Sequence, residues 1–163
     1  MKIYTKRFIL KIINPNLVNK NYVEWLKEGL ETNLYNKNNY NNSQSTIRKY
    51  IKRKLITKNI LFLSIHFKDN NNETHIGNIK FEPININKAS TLGVLIGEKN
   101  WRGKGVFSEI LSKLELLLKY NYGVRKINLG VEKNNFHAVH VYKKNGFKIN
   151  KTFYKSYQMS KYI

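Results

Sequence analysis

The stretch from Thr91 to Lys144 constrains the fold more than any other part of the chain. An apolar run, Thr91 to Gly97, leads through Glu98-Lys99-Asn100-Trp101-Arg102-Gly103-Lys104-Gly105 into a helical pattern over about 105–120. There Val106, Ile110, Leu111, Leu114 and Leu117-Leu118 recur on one face. A second apolar run, Ile127 to Val131, and a shorter helical segment, Asn135 to Lys144, follow and close on Gly146-Phe147. Gly103 and Gly105 carry no Cβ, so the main chain there can approach a phosphate closely, and the helix that follows offers N–H groups and a positive dipole end to it. Arg102 and Lys104 add positive charge. A strand, a glycine loop, a helix and a second strand in this order call for a sheet with helices packed against it.

The remaining segments fit such a sheet. Ile3 to Ile13 reads as a strand, with Phe8, Leu10 and Ile12 alternating against Arg7, Ile9 and Lys11. Pro15 suits a first helical turn, and Val18, Tyr22, Trp25, Leu26 and Leu30 give the helix one apolar face. Asn33 to Asn42 is a polar linker. Ser43 or Ser45 caps a second helix, with Ile47, Tyr50, Ile51 and Leu55 inward. Leu61–Phe67, a turn over 68–72 and His75–Phe81 form a hairpin. Pro83 to Lys88 is a loop, and Phe147–Ile149 with Phe153–Met159 is a last hairpin. The expected order is β-α-α-β-β-β-α-β-α-β-β, an α+β class, in one domain over residues 1–163.

Charge and cysteine content narrow the chemistry. A formal charge of +20 on 163 residues draws phosphates, nucleic acid or other anions. It equally reflects a sequence crowded with Lys, Asn and Ile. The basic residues run through both halves rather than a tail. Arg48, Lys49, Lys52, Arg53, Lys54 and Lys58 make the second helix basic outside its apolar stripe, either as a solvated face or as a lip for an anionic acceptor or RNA. The absence of cysteine removes disulfides, thiolate metal sites and a cysteine nucleophile, and fits a cytoplasmic location. No apolar run nears the ~20 residues of a membrane span. Lys2, Lys6 and Arg7 interrupt any leader-like stretch. His137 and His140 share a helix but lack a third ligand nearby, so no metal site is expected.

The segment Arg102–Phe107 resembles the acyl-CoA signature of the GNAT acetyltransferases, and Asn135, Ala138, Tyr142, Gly146 and Phe147 match the family's Asn-x-x-Ala-x-x-x-Tyr-x-x-x-Gly-Phe. The resemblance implies the acyl-CoA N-acyltransferase fold: a mostly antiparallel sheet, two splayed parallel strands (Thr91–Gly97 and Ile127–Val131) and helices on both faces. It implies an acetyl-CoA cosubstrate held by Val94, Leu95, Ile96, Arg102, Gly103, Lys104, Gly105, Val106, Phe107, Asn135, Ala138 and Tyr142. Within that pattern Tyr142 faces the CoA sulfur as general acid and Asn135 bonds the pantetheine arm. Phe107 stands where the family keeps Gly or Ala, and its ring is expected to turn away from the pyrophosphate.

Glu82 and Glu98 are the candidate general bases; Glu24, Glu28, Glu31, Glu109 and Glu115 read as solvated helix positions. Thr5-Lys6-Arg7-Phe8-Ile9-Leu10-Lys11 is similar to the opening of the RimJ/RimL-like branch, whose best-known members acetylate α-amines of ribosomal proteins. The acceptor is then a protein N-terminus, a polyamine, or an amino sugar or sugar nucleotide, with polyamines disfavoured by the positive field. An anionic or ribosomal partner, no membrane, and a monomer or homodimer are expected. The alternative is a non-catalytic GNAT-like module whose basic surface binds RNA or a ribosome.

Overall fold

A computed structural model describes residues 1–31, 43–69 and 72–163. The strand expected over Ile3–Ile13 is two strands, β1 (Lys2–Tyr4) and β2 (Phe8–Ile12), paired antiparallel with Lys2 opposite Lys11. Thr5 makes the reversal: its N–H donates to Phe8 O at 2.8 Å, and the Phe8 N–H donates to Thr5 Oγ1 at 3.0 Å. The expected alternation fails for the same strand. Phe8, Ile9 and Leu10 are all buried and Ile12 is exposed, because both faces of β2 are covered. Asn14 caps a short 3-10 turn at Pro15–Leu17 that ends on the buried Val18, and α1 (Lys20–Glu31) follows with Tyr22 and Trp25 buried. The side chain of Leu30, the linker Asn33–Asn42 and part of the expected 68–72 turn lie outside the described residues. Ser43 is the cap of α2 (Gln44–Ile56), accepting from the Thr46 N–H at 3.1 Å. Ile47 and Ile51 are buried, but Leu55 is exposed.

Next come β3 (Leu61–Asp69), β4 (Asn72–Ile84), β5 (Ala89–Ile96), α3 (Val106–Tyr122), β6 (Lys126–Glu132), α4 (Phe136–Lys144), β7 (Lys148–Thr152) and β8 (Ser156–Tyr162). β4 runs on through Pro83, so the expected Pro83–Lys88 loop begins two residues later. The eight strands form one sheet in the order β1-β2-β3-β4-β5-β6-β8-β7, antiparallel throughout except for β5 and β6. Leu63, Ile65, Ile79 and Phe81 pack one face against Ile110 and Leu114 of α3 and the partly buried Tyr142 of α4. Phe62 packs on the other with Tyr22, Trp25, Ile47 and Ile51 of α1 and α2. The sheet therefore has a helix pair on each face.

His66 is buried beneath α1, its ring 5.2 Å from that of His75 and its Nε2 2.9 Å from Ser64 Oγ. Burial first, then His75 and Lys11, pushes its pKa down from 6.5 to about 4. The unfolded chain gains a proton near 6.5 that the folded chain refuses until about 4. Stability from this group is therefore complete above pH 6.5 and is lost as pH falls towards 4. The loss at pH 5 is on the order of 2 kcal/mol. Urea midpoints at pH 7.5 and 5 should fall further for the native protein than for His66→Gln; equal falls would place the acid sensitivity elsewhere.

Candidate active site

β5 and β6 pair only at Ala89–Thr91 with Lys126–Asn128. Beyond that point β5 stays with β4, Gly93 opposite Lys80 and Ile96 opposite Gly77, while β6 stays with β8 as far as Glu132. The facing edges therefore part, and their backbone groups lose each other as hydrogen-bond partners. Val94, Leu95 and Ile96 lie on one lip of this gap, half-buried. A groove of about 280 Å³, lined by Thr91, Asn128, Gly130, Phe153 and Gln158 among others, lies against the same strands. Such a gap can receive an extended amide-bearing arm in the way that a sheet edge takes an added strand.

The glycine loop lies beyond the end of β5. Gly103 and Gly105 have φ of 71° and 74°, the left-handed region, and Gly105 is the N-cap of α3. Among the described residues no side chain caps that helix, so its first N–H groups can face an anion. Arg102 takes a different part from the one expected of its charge. Its guanidinium donates to Ile96 O at 3.0 Å, Gly97 O at 2.9 Å and Glu28 Oε2 at 3.1 Å, tying the end of β5 to α1. Hydrogen bonds from Lys99 and Arg102 hold the Glu28 carboxyl below the usual carboxylate range. α1 comes so close that a Cβ on Gly97 would lie 2.0 Å from the Trp25 ring.

Three residues that sequence reasoning left out of the site fix the start of α3. Glu109 Oε1 accepts from Thr5 Oγ1 and from the Arg7 N–H, both at 2.7 Å, and Oε2 accepts from Arg7 Nε at 2.7 Å. Arg7 also donates to Lys104 O at 2.9 Å, within the loop itself. Burial raises the Glu109 pKa, but Thr5 and Arg7 outweigh it and hold the carboxyl below its ordinary value. Glu109 in the first turn of a helix was the only local signal; its partners are 102 and 104 residues away in sequence.

On α4 the Asn135 side chain accepts from the Ala138 N–H at 3.1 Å, so Asn135 is the helix cap. Asn145 donates to Ser108 Oγ at 2.9 Å and joins the end of α4 to the start of α3. Tyr142, half-buried, meets Phe107 edge-on at 5.3 Å and Phe147 at 5.9 Å. The Phe107 ring is buried in the core, so it turns inward. Phe107→Leu should cost about 1 kcal/mol of stability, chiefly the lost aromatic contact, and leave acetyl-CoA affinity unchanged. Calorimetry and a urea melt check both; tighter binding in the variant would make the ring an obstruction.

The two candidate bases are placed apart from one another. Glu82 on β4 is clasped by Lys54 of α2 and by Lys80, whose Nζ is 2.7 Å away. Burial opposes its ionisation, but the two lysines prevail and hold its pKa below the ordinary range. A carboxylate so stabilised is a weak base. Glu98 follows β5, half-buried, its N–H bonded to Ile76 O at 3.1 Å. His137 and His140 are exposed on α4.

The acetyltransferase (GNAT) domain family matches residues 14–148, most of the chain. No curated protein matches the sequence. Among solved structures, RimL, a ribosomal L7/L12 α-N-protein acetyltransferase in complex with coenzyme A, superposes with a TM-score of 0.82 at 17% identity, covering 100% of this chain and 98% of its own. The microcin C7 self-immunity acetyltransferase MccE, in complex with acetyl-CoA and AMP, gives 0.78 at 17% identity over 97% and 93%. PaiA N-acetyltransferase from Thermoplasma acidophilum, in complex with coenzyme A, gives 0.72 at 22% identity over 96% and 99%. At these identities the likeness is one of fold. With a family match over most of its length, on a sheet that parts beside a glycine-led helix, the chain belongs to the GNAT family of acetyltransferases and is an acyltransferase.

Proposed function

We propose that the protein transfers the acetyl group of acetyl-CoA to a primary amine in a direct ternary complex. The observation that carries this reading is the parting of β5 and β6 next to the uncapped start of α3, with Tyr142 packed on that helix. Acetyl-CoA would lie along the gap, its pyrophosphate on the N–H groups of Gly103–Phe107 and its thioester carbonyl on a β5 N–H near Val94–Ile96. Holding both reactants in one cleft removes much of the entropic barrier. The neutral amine nitrogen attacks the carbonyl carbon, and the strand N–H stabilises the oxyanion. The C–S bond then breaks, and the sulfur takes a proton from the Tyr142 hydroxyl, leaving an amide, free CoA and a tyrosinate that regains its proton from solvent.

The acceptor's own proton leaves for solvent without help from Glu82, which Lys54 and Lys80 keep ionised and weakly basic. Glu98 remains a candidate to relay it. The likeness to RimL and the Thr5–Lys11 opening support the RimJ/RimL-like branch. No comparison supports the RNA-binding alternative. Among the described residues no helix is long and apolar enough to cross a membrane. The test is calorimetry with acetyl-CoA followed by thiol release across an amine panel. Binding with acceptor-dependent thiol release is expected; no binding by a folded protein would overturn the reading.

A further inference from the structure

The face of the sheet that carries α1 and α2 changes character along β5. Leu95 packs into the apolar layer of those helices and closes one end. Thr91 lines the open groove at the other. Between them Gly93 leaves a bare floor: a Cβ there would meet no atom within 4 Å. Beside that floor, opposite Gly93 in register, is Lys80. Its Nζ donates to Tyr50 OH at 2.7 Å and pairs with Glu82 at 2.7 Å. Lys54 pairs with the same carboxylate, and Arg53 lies 5.8 Å from the Tyr50 ring. Two lysines thus share one carboxylate, with Arg53 beside the neighbouring ring, so the cluster keeps a net positive charge. The Lys54, Lys80 and Glu82 side chains are only about a fifth to a quarter exposed, so water screens that charge incompletely.

From this geometry we infer that the acceptor is a small primary amine bearing a phosphate, which Lys80, Lys54 and the Tyr50 hydroxyl hold beside Gly93. The inference rests on the acetyltransferase reading and adds the acceptor class. Lysine ammonium groups hold phosphate as point charges, and the Tyr50 hydroxyl, already accepting from Lys80, has its own proton to donate. A polycation such as spermidine would be repelled.

The test compares glucosamine 6-phosphate with glucosamine, and O-phosphoethanolamine with ethanolamine, for binding to the CoA-loaded protein by calorimetry. The phosphorylated member of at least one pair should bind ten-fold or more tightly than its partner, and the gap should narrow as salt is raised. Lys80→Met should erase the gap while leaving the dissociation constant of acetyl-CoA unchanged. Lys54→Gln is the second variant, should Lys80→Met fail to fold. Equal binding within both pairs, no binding of any phosphorylated amine, or a preference untouched by the lysine variants would overturn the inference. Acetyl-CoA binding, measured alongside, separates that result from a failure of the acetyltransferase reading itself.

Discussion

Tyr142→Phe should lower the turnover number by ~10²-fold or more, in the range for removal of a positioned acid. In the proposed mechanism the hydroxyl would supply the proton that the CoA sulfur takes as the C–S bond breaks. The variant keeps the ring, so the edge contacts with Phe107 and Phe147 at 5.3 and 5.9 Å survive. Affinity for acetyl-CoA should therefore hold, because the proposed proton transfer would belong to the transition state rather than to the ground state, and the retained ring should keep the variant folded. Steady-state kinetics with a working acceptor and a thermal melt of both proteins decide it. Native turnover in a folded Phe variant would leave Tyr142 as a packing residue and assign the proton to water.

Gly105→Asp should weaken acetyl-CoA binding by ~10³-fold through charge repulsion, and backbone strain should lower its stability as well. Gly105 has φ of 74°, and a residue with a Cβ in that region is strained by about 1–2 kcal/mol. The new carboxylate would also stand beside the pyrophosphate, where two like charges ~4 Å apart repel by about 4 kcal/mol at a surface-like effective dielectric. The ideal Cβ itself meets only Arg7 Nη2, 3.7 Å away, so the protein should still fold. Calorimetry with acetyl-CoA and circular dichroism measure the two effects. Native affinity with an intact spectrum would remove the loop from the cosubstrate site.

The helices and strands from Leu61 onward were legible because their periodicities are long and their punctuation is chemical. Glycine stands at both ends of α3 and Asn135 caps α4, as Ser43 caps α2 before them. The N-terminal strand was misread for a physical reason: alternation reports one covered face, and β2 has two. Its break at Thr5 depends on a side chain bonding back across three residues. Leu55 was misplaced because the apolar stripe of α2 outruns the surface that covers it.

The sequence by itself determined that a glycine-led helix follows an apolar strand and that a tyrosine precedes Gly146-Phe147 on a later helix. Both are local patterns, written in neighbouring residues. Tertiary structure alone decided which charges are left to act. Arg102 turns back onto Ile96 O, Gly97 O and Glu28. Glu82 is taken by Lys54 and Lys80. Thr5 and Arg7 reach more than a hundred residues along the chain to Glu109. An ionic side chain acts according to the partner it meets, and sheet order rather than sequence distance sets that partner. The splay of β5 from β6 is of the same kind, since it exists only because β5 keeps β4, and β6 keeps β8, after their shared pairing ends at Thr91 and Asn128.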